Sequence, residues 1–442
     1  MIPMSCDTMV ALGTATRRGQ TLFAKNSDRP AGECQPLVQH PWRQYAAGAQ
    51  LQCQFVGMPQ AGATWRHVGS RPYWCWGYEH GFNEHQVVIG NEALHSRLEE
   101  AQEGKLVGME VLRLGLERGR TAAQAVEVMT ALISRYGQGK FANDAGVRTY
   151  DNGYIIADPQ AAYVLETAGH EWAVQEVERT CGISNVYSLE SDWTALSPGA
   201  EDVASAAGWI PDGGKFNFAD AFTRNSRSEG SGAMRRRRSC ALLRQRRGTI
   251  EASTMMALLS DHGDGENPHE PLQTQISTST SICVHGNIDG TGGNTAASLV
   301  ADLCADGSRL PVYWCSMYSP CLGVFMPLFC EGSVPEVLGV GGERSSAASP
   351  WWLFHRLSQL VRRAPAERVA PVRARWAQLQ GEFFASAYEM ARAGRDLLDE
   401  GQTGEAERQL TAYMRANAAA VLQAVGAMIE SFQEVPAGVP AT

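Results

Sequence analysis

The sequence predicts an α+β protein in which two antiparallel sheets carry helices on their outer faces. Short apolar segments with a two-residue period open the chain and return over residues 153–178. Segments with helical spacing lie between these strands, and helices predicted at 233–246 and 251–260 precede a further block of strands. The order strands, helices, strands, helices is typical of a layered fold with the sheets inside.

Length and composition indicate a large globular protein. The chain has 442 residues, of which 44% are hydrophobic and 19% charged, so it can bury a large core and form more than one domain. The net charge of −9 argues against binding to nucleic acid or to an anionic membrane, and no apolar run is long enough to span a bilayer. The first five residues lack the features of a secretory signal, and the 11 cysteines form no CxxC pair. We therefore expect a cytoplasmic protein with reduced thiols.

The first two predicted strands form a hairpin that places a cysteine among polar residues. Residues 8–12 and 20–24 are the strands, residues 16–19 form the turn between them, and the second strand ends in residues 25–30. Folding the chain about residues 17 and 18 brings Cys6 opposite the segment that contains Lys25, Asn26, Asp28 and Arg29. The register stays open, because a slip of one residue would reverse the faces of the strands.

The remaining elements follow in chain order. Residues 31–75 are broken by Pro, Gly and Gln and predict loops and short strands, and residues 86–90 predict a strand. Apolar residues recur at helical spacing over 105–118 and 121–136. Further predicted strands are 154–157, 162–166, 171–174, 181–185, 276–285, 312–317 and 323–328.

Beyond about residue 345 the composition changes to one rich in Ala, Leu, Glu and Arg. Residues 350–362, 366–399 and 403–431 predict helices, with Gly401 as the break between the last two. We expect these helices to pack on the rest of the chain or to form the face of a homo-oligomer, rather than to bind a cofactor.

Two interpretations of Cys6 follow from its position. It is either an ordinary buried thiol or, once residues 1–5 are removed, the first residue of the mature chain. In the second case its own α-amino group, with a pKa of about 8, lies beside the sulfur and can act as the general base. Such a site needs no catalytic histidine, and the sequence shows no Cys–His signature.

Several separated segments form a recognisable pattern, namely Cys6-Asp7-Thr8, Phe23 to Pro30, Gly81 to Ala93, Leu165 to Trp172 and Ile183-Ser184-Asn185. In these segments the chain resembles the secernin family, which belongs to the dipeptidase-like N-terminal-nucleophile (Ntn) hydrolases of peptidase family C69. The resemblance covers roughly residues 6–330 in order. It implies a four-layer αββα sandwich of two antiparallel sheets, with the C-terminal helices as an extension. It also implies hydrolysis of amide bonds in dipeptides or similar small substrates.

The resemblance implies roles for three residues of the hairpin. Cys6 matches the nucleophile, whose thiolate would form an acyl-enzyme. Lys25 matches a basic residue near the thiol, which would lower the pKa of the sulfur; otherwise it is a surface lysine at the end of a strand. Asp28 matches the acid that holds the α-amino group, although an aspartate before Arg-Pro is also common in turns.

Three later residues complete the site that the resemblance implies. Asn185 matches an asparagine whose side-chain N–H would stabilise the tetrahedral oxyanion, and Asn91 is a weaker candidate for the same hole. Arg235 matches an arginine that orders the site. The arginines at 236–238 are most simply a solvated face, with a polyanion-binding patch as the less favoured alternative because the chain is acidic.

Other polar features do not suggest a second catalytic centre. The pairs His80/His85 and His262/His269 lack the spacing of a helical zinc site, so we expect exposed or hydrogen-bonding histidines. The Gly-rich segment 286–295 lacks the Gly-Lys-Ser/Thr ending of a phosphate loop. We expect it to form a mobile loop at the rim of the substrate cleft, where departure from the family pattern puts substrate specificity in question.

These observations lead to one hypothesis and two alternatives. We expect a short propeptide at 1–5, removed by self-cleavage or by another protease, an Ntn-hydrolase catalytic domain at 6–345 and a helical region at 346–442. The substrate would be a small peptide or amide, with no metal or organic cofactor. The alternatives are a non-catalytic interaction protein on the same scaffold and an amidase that acts on N-acyl amino acids.

Overall fold

A computed structural model of the chain describes residues 5–143, 146–210, 215–224, 226–263, 279–287 and 291–434. Its strands are β1 Asp7–Ala11, β2 Leu22–Pro30, β3 Leu37–His40, β4 Arg43–Gln44, β5 Gln50–Gln52, β6 Gly57–Pro59, β7 Ala63–Thr64, β8 His67–Ser70, β9 His80–Asn83, β10 Val88–Leu94, β11 Phe141–Asn143, β12 Gly146–Arg148, β13 Asp151–Ala157, β14 Ala162–Ala168, β15 Glu171–Glu176, β16 Thr180–Ile183, β17 Ala195–Leu196, β18 Gly293–Asp302, β19 Val312–Met317 and β20 Met326–Leu328. Its helices are α1 Gly108–Arg118, α2 Ala122–Tyr136, α3 Ala200–Ala206, α4 Phe218–Phe222, α5 Ser231–Gln245, α6 Ala252–Leu259, α7 Pro350–Arg363, α8 Pro365–Asp399 and α9 Thr403–Glu434.

Two large antiparallel sheets form the centre of the fold. The first has six strands in the order β16-β1-β2-β18-β19-β20, and the second has eight in the order β17-β15-β14-β13-β10-β9-β8-β3. Neighbouring strands are antiparallel throughout both sheets. Strands β4 and β7, β5 and β6, and β11 and β12 form small ribbons. The α+β class with two antiparallel sheets is therefore confirmed.

The two sheets pack face to face. Phe82 of β9 stacks on Tyr313 of β19 with 3.5 Å between the ring centroids. Gly90 of β10 lies so close to β2 that an added Cβ would come within 2.4 Å of Lys25 Cδ. The close approach explains why a residue without a side chain stands there. Helices α1 and α2 pack on the outer face of the eight-stranded sheet, and α5 and α6 pack on the six-stranded one, which gives the four αββα layers.

The C-terminal helices continue the core rather than standing apart from it. The Trp351 indole of α7 donates to Ala296 O at 2.8 Å, and the Trp376 indole of α8 donates to Leu322 O at 2.7 Å. Trp314 of β19 packs against Phe384 of α8. Because buried indole N–H groups need partners, these bonds fix the helices on the six-stranded sheet. No helix in the described part of the chain combines the length and apolarity needed to cross a membrane.

The predicted helices are confirmed, but one predicted strand is wrong. Residues 276–278 lie outside the described ones, and 279–287 form turns and irregular backbone. The strand is β18, Gly293–Asp302, which lies between β2 and β19. Residues 296–301 of this strand are buried on both faces, so they do not alternate between apolar and polar residues. Such an alternation predicts a strand in the Ser- and Thr-rich segment 276–285 instead.

The predicted end of the second strand at residue 24 is also wrong, because residues 25–30 continue β2. The strand pairs with β1 on one side and β18 on the other, so its backbone groups are satisfied inside the sheet. Likewise, Gly293–Thr295 of the predicted rim loop belong to β18, while residues 288–290 lie outside the described part of the chain.

Candidate active site

Cys6 lies directly before β1 and is buried. The strand register pairs Asp7 with Asn26, which places Cys6 beside Asp28 on the neighbouring strand. The Asp28 backbone N–H donates to Cys6 Sγ at 3.3 Å, and the sulfur lies 3.8 Å from Asp28 O. The hairpin thus holds the thiol through the backbone of β2.

The backbone nitrogen of Cys6 is held by the end of β16. It donates to Asn185 Oδ1 at 2.8 Å, while the Ser184 hydroxyl donates to Cys6 O at 3.0 Å. Asn185 Nδ2 donates to Ala93 O at 2.9 Å. Asn185 therefore contacts Cys6 through its side-chain oxygen, and one of its side-chain N–H groups donates to the backbone of β10.

Arg235, in the first turns of α5, ties this arrangement together. Its Nε donates to Asp7 Oδ2 at 2.9 Å, and its Nη2 donates to Ser184 Oγ at 2.8 Å and Asn185 Oδ1 at 2.7 Å. All these groups are largely buried, where an arginine and a carboxylate need each other. The structure thus brings Arg235 and Asn185 together at Cys6.

The neighbouring arginines of α5 differ from Arg235. Arg237 is exposed and donates to Ser228 O at 2.8 Å. Arg238 makes a two-pronged contact with Asp261, with distances of 2.7 to 3.0 Å. The prediction that 236–238 are a plain solvated face is therefore wrong for Arg238, because a half-buried carboxylate lies within its reach.

Lys25 is buried between the sheets rather than exposed at a strand end. Its Nζ donates to Asn91 O at 2.6 Å and to Asn26 O at 3.3 Å, and lies 3.9 Å from Glu92 Oε2. Burial alone would lower the pKa of Lys25, but Cys6, Glu92 and other acidic neighbours outweigh it and raise that pKa to about 12. The site thus contains a buried lysine whose protonated form is favoured by its acidic neighbours.

Asp28 is a buried carboxyl with one unused oxygen. Thr295 Oγ1 donates to Asp28 Oδ1 at 2.6 Å, whereas Oδ2 has no hydrogen-bond partner among the described residues. Burial raises the pKa of Asp28 to about 8, and the nearby Asp7 carboxylate adds to the rise. The unused oxygen is the kind of group that a cation would stabilise.

Burial also affects the protonation of Cys6. It raises the pKa of the Cys6 thiol, and the charge of Lys25 opposes this rise without reversing it. With Ser5 still attached, the sulfur is therefore a thiol at neutral pH. Nucleophilic attack needs a base that removes its proton.

Asn91 enters the site mainly through its backbone. Its carbonyl oxygen accepts the hydrogen bond from Lys25. Its side-chain amide lies between Asn152 Oδ1 at 3.1 Å and Glu79 Oε2 at 3.0 Å, and its nitrogen donates to one or the other of these oxygens according to the orientation of the amide. The structure thus places the Asn91 amide against Glu79 and Asn152.

A buried acidic and basic network around the site was not predicted. Arg29 Nε donates to Glu33 Oε1 at 2.6 Å, and Arg29 Nη1 lies 3.1 Å from Glu79 Oε1. Glu92 accepts a hydrogen bond from Thr8. The signal was present in the sequence, because Glu92 and Asp7 stand within apolar strands, and a charge there must find a partner.

A cleft of about 550 Å³ opens beside these residues. Asn185 and Arg235 form part of its wall, together with Tyr150, whose hydroxyl lies 3.4 Å from Arg29 Nη1. The rest of the cleft is lined by both charged and uncharged residues, and the charged ones are Glu100, Lys140, Arg148, Arg224 and Glu229. A small polar molecule in this cleft would reach the groups that hold Cys6.

Among the described residues, one group has donor atoms close enough together to hold a metal ion. It consists of His262, Cys283, His285 and Cys321, and it does not include Cys6.

Comparison with known proteins gives distant structural similarity only. No protein-family model matches the chain. A mutant of the conjugated bile acid hydrolase from Clostridium perfringens shares 11% identity over 71% of this chain and 89% of its own, with a TM-score of 0.40. Penicillin V acylase from Agrobacterium tumefaciens shares 13% sequence identity over 73% of this chain and 86% of its own, with a TM-score of 0.34. The Caenorhabditis elegans ortholog of N-acylethanolamine-hydrolyzing acid amidase shares 13% sequence identity over 67% of this chain and 92% of its own, with a TM-score of 0.32. Similarity at this level carries neither fold nor activity to this chain.

Proposed function

We propose that the protein is a cysteine-dependent Ntn hydrolase that cleaves amide bonds of small substrates through an acyl-enzyme at Cys6. One observation carries the proposal: both reactive ends of Cys6 are held in the same buried site. The sulfur accepts from the Asp28 backbone, and the nitrogen donates to Asn185 Oδ1. The resemblance to the secernin family in the segments around Cys6 supports the same proposal.

Removal of residues 1–5 would convert an amide nitrogen into the missing base. While Ser5 is attached, the Cys6 nitrogen has no proton-accepting capacity. After cleavage it is an amine with a pKa of about 8, next to the thiol that burial keeps protonated. Asp28 would hold this amine, because its unused oxygen is stabilised by an adjacent ammonium.

The amine then serves through both halves of the reaction. It accepts the thiol proton as the sulfur attacks the substrate carbonyl carbon, and a tetrahedral intermediate forms. It returns that proton to the leaving nitrogen as the C–N bond breaks and the thioester remains. A water molecule gives a proton to the same amine and attacks the thioester, which releases the acid and restores the thiol.

Asn185 is the proposed oxyanion donor, with Asn91 as the weaker candidate. One N–H of Asn185 is bound to Ala93 O, so the oxyanion would use the other N–H of that amide group. Arg235 holds the Asn185 oxygen at 2.7 Å and thereby fixes the orientation of the amide. Arg235 is thus a positioning residue.

The cleft favours a substrate with a free carboxylate, such as a dipeptide. Arg148 lines it, and the Arg148 Nε is buried with no hydrogen-bond partner among the described residues. An arginine with such a buried donor atom can form paired hydrogen bonds with a planar carboxylate. N-acyl amino acids also carry such a carboxylate and are the alternative substrate class.

A substrate panel tests the proposal. Wild-type protein and Cys6→Ala are compared on dipeptides, on N-acyl amino acids and on the amides of both. We expect the wild type to hydrolyse at least one class and Cys6→Ala to hydrolyse none. Equal turnover by the two proteins would remove Cys6 from the mechanism. Absence of turnover by mature wild type on every class would favour the non-catalytic alternative.

A further inference from the structure

A second cluster of reactive side chains lies outside the Cys6 site. His262 follows α6, and Cys283 and His285 lie in the segment before β18. Cys321 lies in a short 3₁₀ turn, Pro320–Leu322. One donor atom from each of these four residues lies within 4.8 Å of the other three. Three segments that are far apart in sequence thus converge on one point.

The spacing of these atoms matches a tetrahedral metal site. His285 Nε2 lies 3.2 Å from His262 Nε2, 3.5 Å from Cys283 Sγ and 3.3 Å from Cys321 Sγ. A zinc ion with bonds of about 2.3 Å to sulfur and 2.0 Å to nitrogen would place its four ligands roughly 3.3 to 3.8 Å apart. The three separations from His285 Nε2 lie close to this range, and all four donor atoms lie within 4.8 Å of one another.

The backbone around the cluster is fixed by hydrogen bonds. The Asn26 side chain of β2 donates to Leu259 O at 2.8 Å and to Ile282 O at 3.0 Å. The Cys283 N–H donates to Asp261 O at 2.8 Å. These bonds hold the His262 segment against the Cys283 segment, so the ligands are positioned by rigid parts of the fold.

The far side of the cluster is held in the same way. Ser319 Oγ lies 3.5 Å from His285 Nδ1, the ring nitrogen away from the other ligands, and accepts from Asn294 Nδ2 at 3.0 Å. Asn294 Oδ1 also accepts from the Gly286 N–H at 3.3 Å. Asn294 therefore joins the His285 segment to the Cys321 turn, as partners behind metal ligands commonly do.

We propose that His262, Cys283, His285 and Cys321 bind one zinc ion in a closed structural site. Two thiolates and two neutral imidazoles form a ligand set that zinc prefers in tetrahedral geometry. On binding, each thiol loses its proton to solvent, and the two thiolates balance the charge of the ion. With four protein ligands no position stays open for substrate, so the ion stabilises the fold and takes no part in hydrolysis.

The zinc site is connected to the Cys6 site through one threonine. Val284, between two of the ligands, exchanges hydrogen bonds with Thr295: its N–H donates to Thr295 Oγ1 at 3.0 Å, and its carbonyl accepts from the Thr295 N–H at 2.9 Å. The Thr295 hydroxyl donates to Asp28 Oδ1. The ion would therefore steady the strand that positions Asp28.

Metal content of the full-length, untagged protein tests this proposal independently of the hydrolase activity. Protein purified without chelator is analysed by inductively coupled plasma mass spectrometry. We expect about one zinc per chain in wild type and in Cys6→Ala. We expect far less than one in His262→Ala and in Cys321→Ser. Cys240→Ser is the matched control, because Cys240 is a half-buried thiol outside the cluster, and it should retain the full zinc content.

A spectroscopic measurement covers the case in which the ligand variants do not fold. Wild-type protein exchanged with Co²⁺ should show the thiolate-to-metal band and the intense visible bands of a tetrahedral site with sulfur ligands. The proposal is overturned if wild type contains no zinc and gains none after incubation with zinc and dialysis. It is also overturned if folded His262→Ala or Cys321→Ser keeps the wild-type content, or if mass analysis shows a Cys283–Cys321 disulfide in its place.

Discussion

The site around Cys6 and the cluster around His285 both contain buried cysteines, yet their surroundings differ. Cys6 is a single thiol whose nearest partners are backbone groups of Asp28, and charged residues such as Lys25 and Arg235 lie around it beside a cleft. Cys283 and Cys321 instead face imidazole nitrogens. Burial is common to both sites, so the proposed roles of nucleophile and metal ligand rest on the different groups around each sulfur.

Substitution of one cysteine in each site gives the largest expected effects. Cys6→Ala should lower turnover by roughly 10³-fold or more, because no other group can form the acyl-enzyme, and should leave the zinc content intact. Cys321→Ser should lower the zinc content and the melting temperature. Activity assays, metal analysis and thermal unfolding of both variants check this separation. Loss of zinc in Cys6→Ala would contradict it.

Removal of Arg235 should be costly because it leaves Asp7 buried without its partner. Arg235→Gln is expected to lower the free energy of unfolding by about 3 to 5 kcal/mol, as measured by urea unfolding followed by tryptophan fluorescence. Arg237→Gln is the matched control in the same helix. Arg237 is exposed, so its loss should change the free energy by no more than about 0.5 kcal/mol. Equal effects would mean that Arg235 does not hold the site.

Asp28 should give the uncleaved protein a distinctive pH dependence. In that form the pKa of Asp28 is raised to about 8 from an ordinary value of about 4. The folded state therefore holds this proton more tightly, and its contribution to stability is present below pH 4 and is lost as the pH rises to 8. The slope is at most about 1.4 kcal/mol per pH unit.

Comparison of Cys6→Ala with the double variant Cys6→Ala/Asp28→Asn isolates this contribution. If self-cleavage needs the thiol, both proteins keep Ser5, and only the first can ionise Asp28. The stability of the double variant, measured by urea unfolding from pH 4 to 8, should fall less steeply than that of Cys6→Ala. Parallel curves would show that Asp28 titrates in its ordinary range.

The smallest expected effect concerns the proposed carboxylate contact in the cleft. Arg148→Gln should raise KM for a dipeptide about tenfold with little change in kcat, because a charged hydrogen bond made equally in ground and transition states is lost. The variant should also lose the preference of wild type for the dipeptide over its C-terminal amide. Arg244→Gln, which removes an exposed arginine outside the cleft, should behave like wild type.

Local patterns were enough to predict part of this molecule. The hairpin that places Cys6 beside Asp28 depends on neighbouring segments, and the helices show their apolar period directly. The partners Glu79 and Glu92 could not be assigned in advance, because the pairing of a buried charge depends on how the two sheets stack. Strand β18 was missed since a strand buried on both faces has no alternation.

The cluster around His285 shows the same limit more strongly. Only Cys283-Val284-His285 is local, and that spacing differs from the usual zinc motifs. His262 and Cys321 join it because α6 lies against β2 and β18, and the turn at Pro320–Leu322 lies against β18 and α6. No spacing rule could have predicted this group from the sequence.

The N-terminal residue of the mature protein tests the central claim most directly. Intact-mass analysis of purified wild-type protein, combined with its turnover on the preferred substrate, should show that residues 1–5 are absent from the active species and that the chain begins at Cys6. Cys6→Ala, if cleavage is self-catalysed, should keep Ser5. A fully active protein whose bulk retains Ser5 would contradict the account, because its Cys6 nitrogen would be an amide and could not serve as the base.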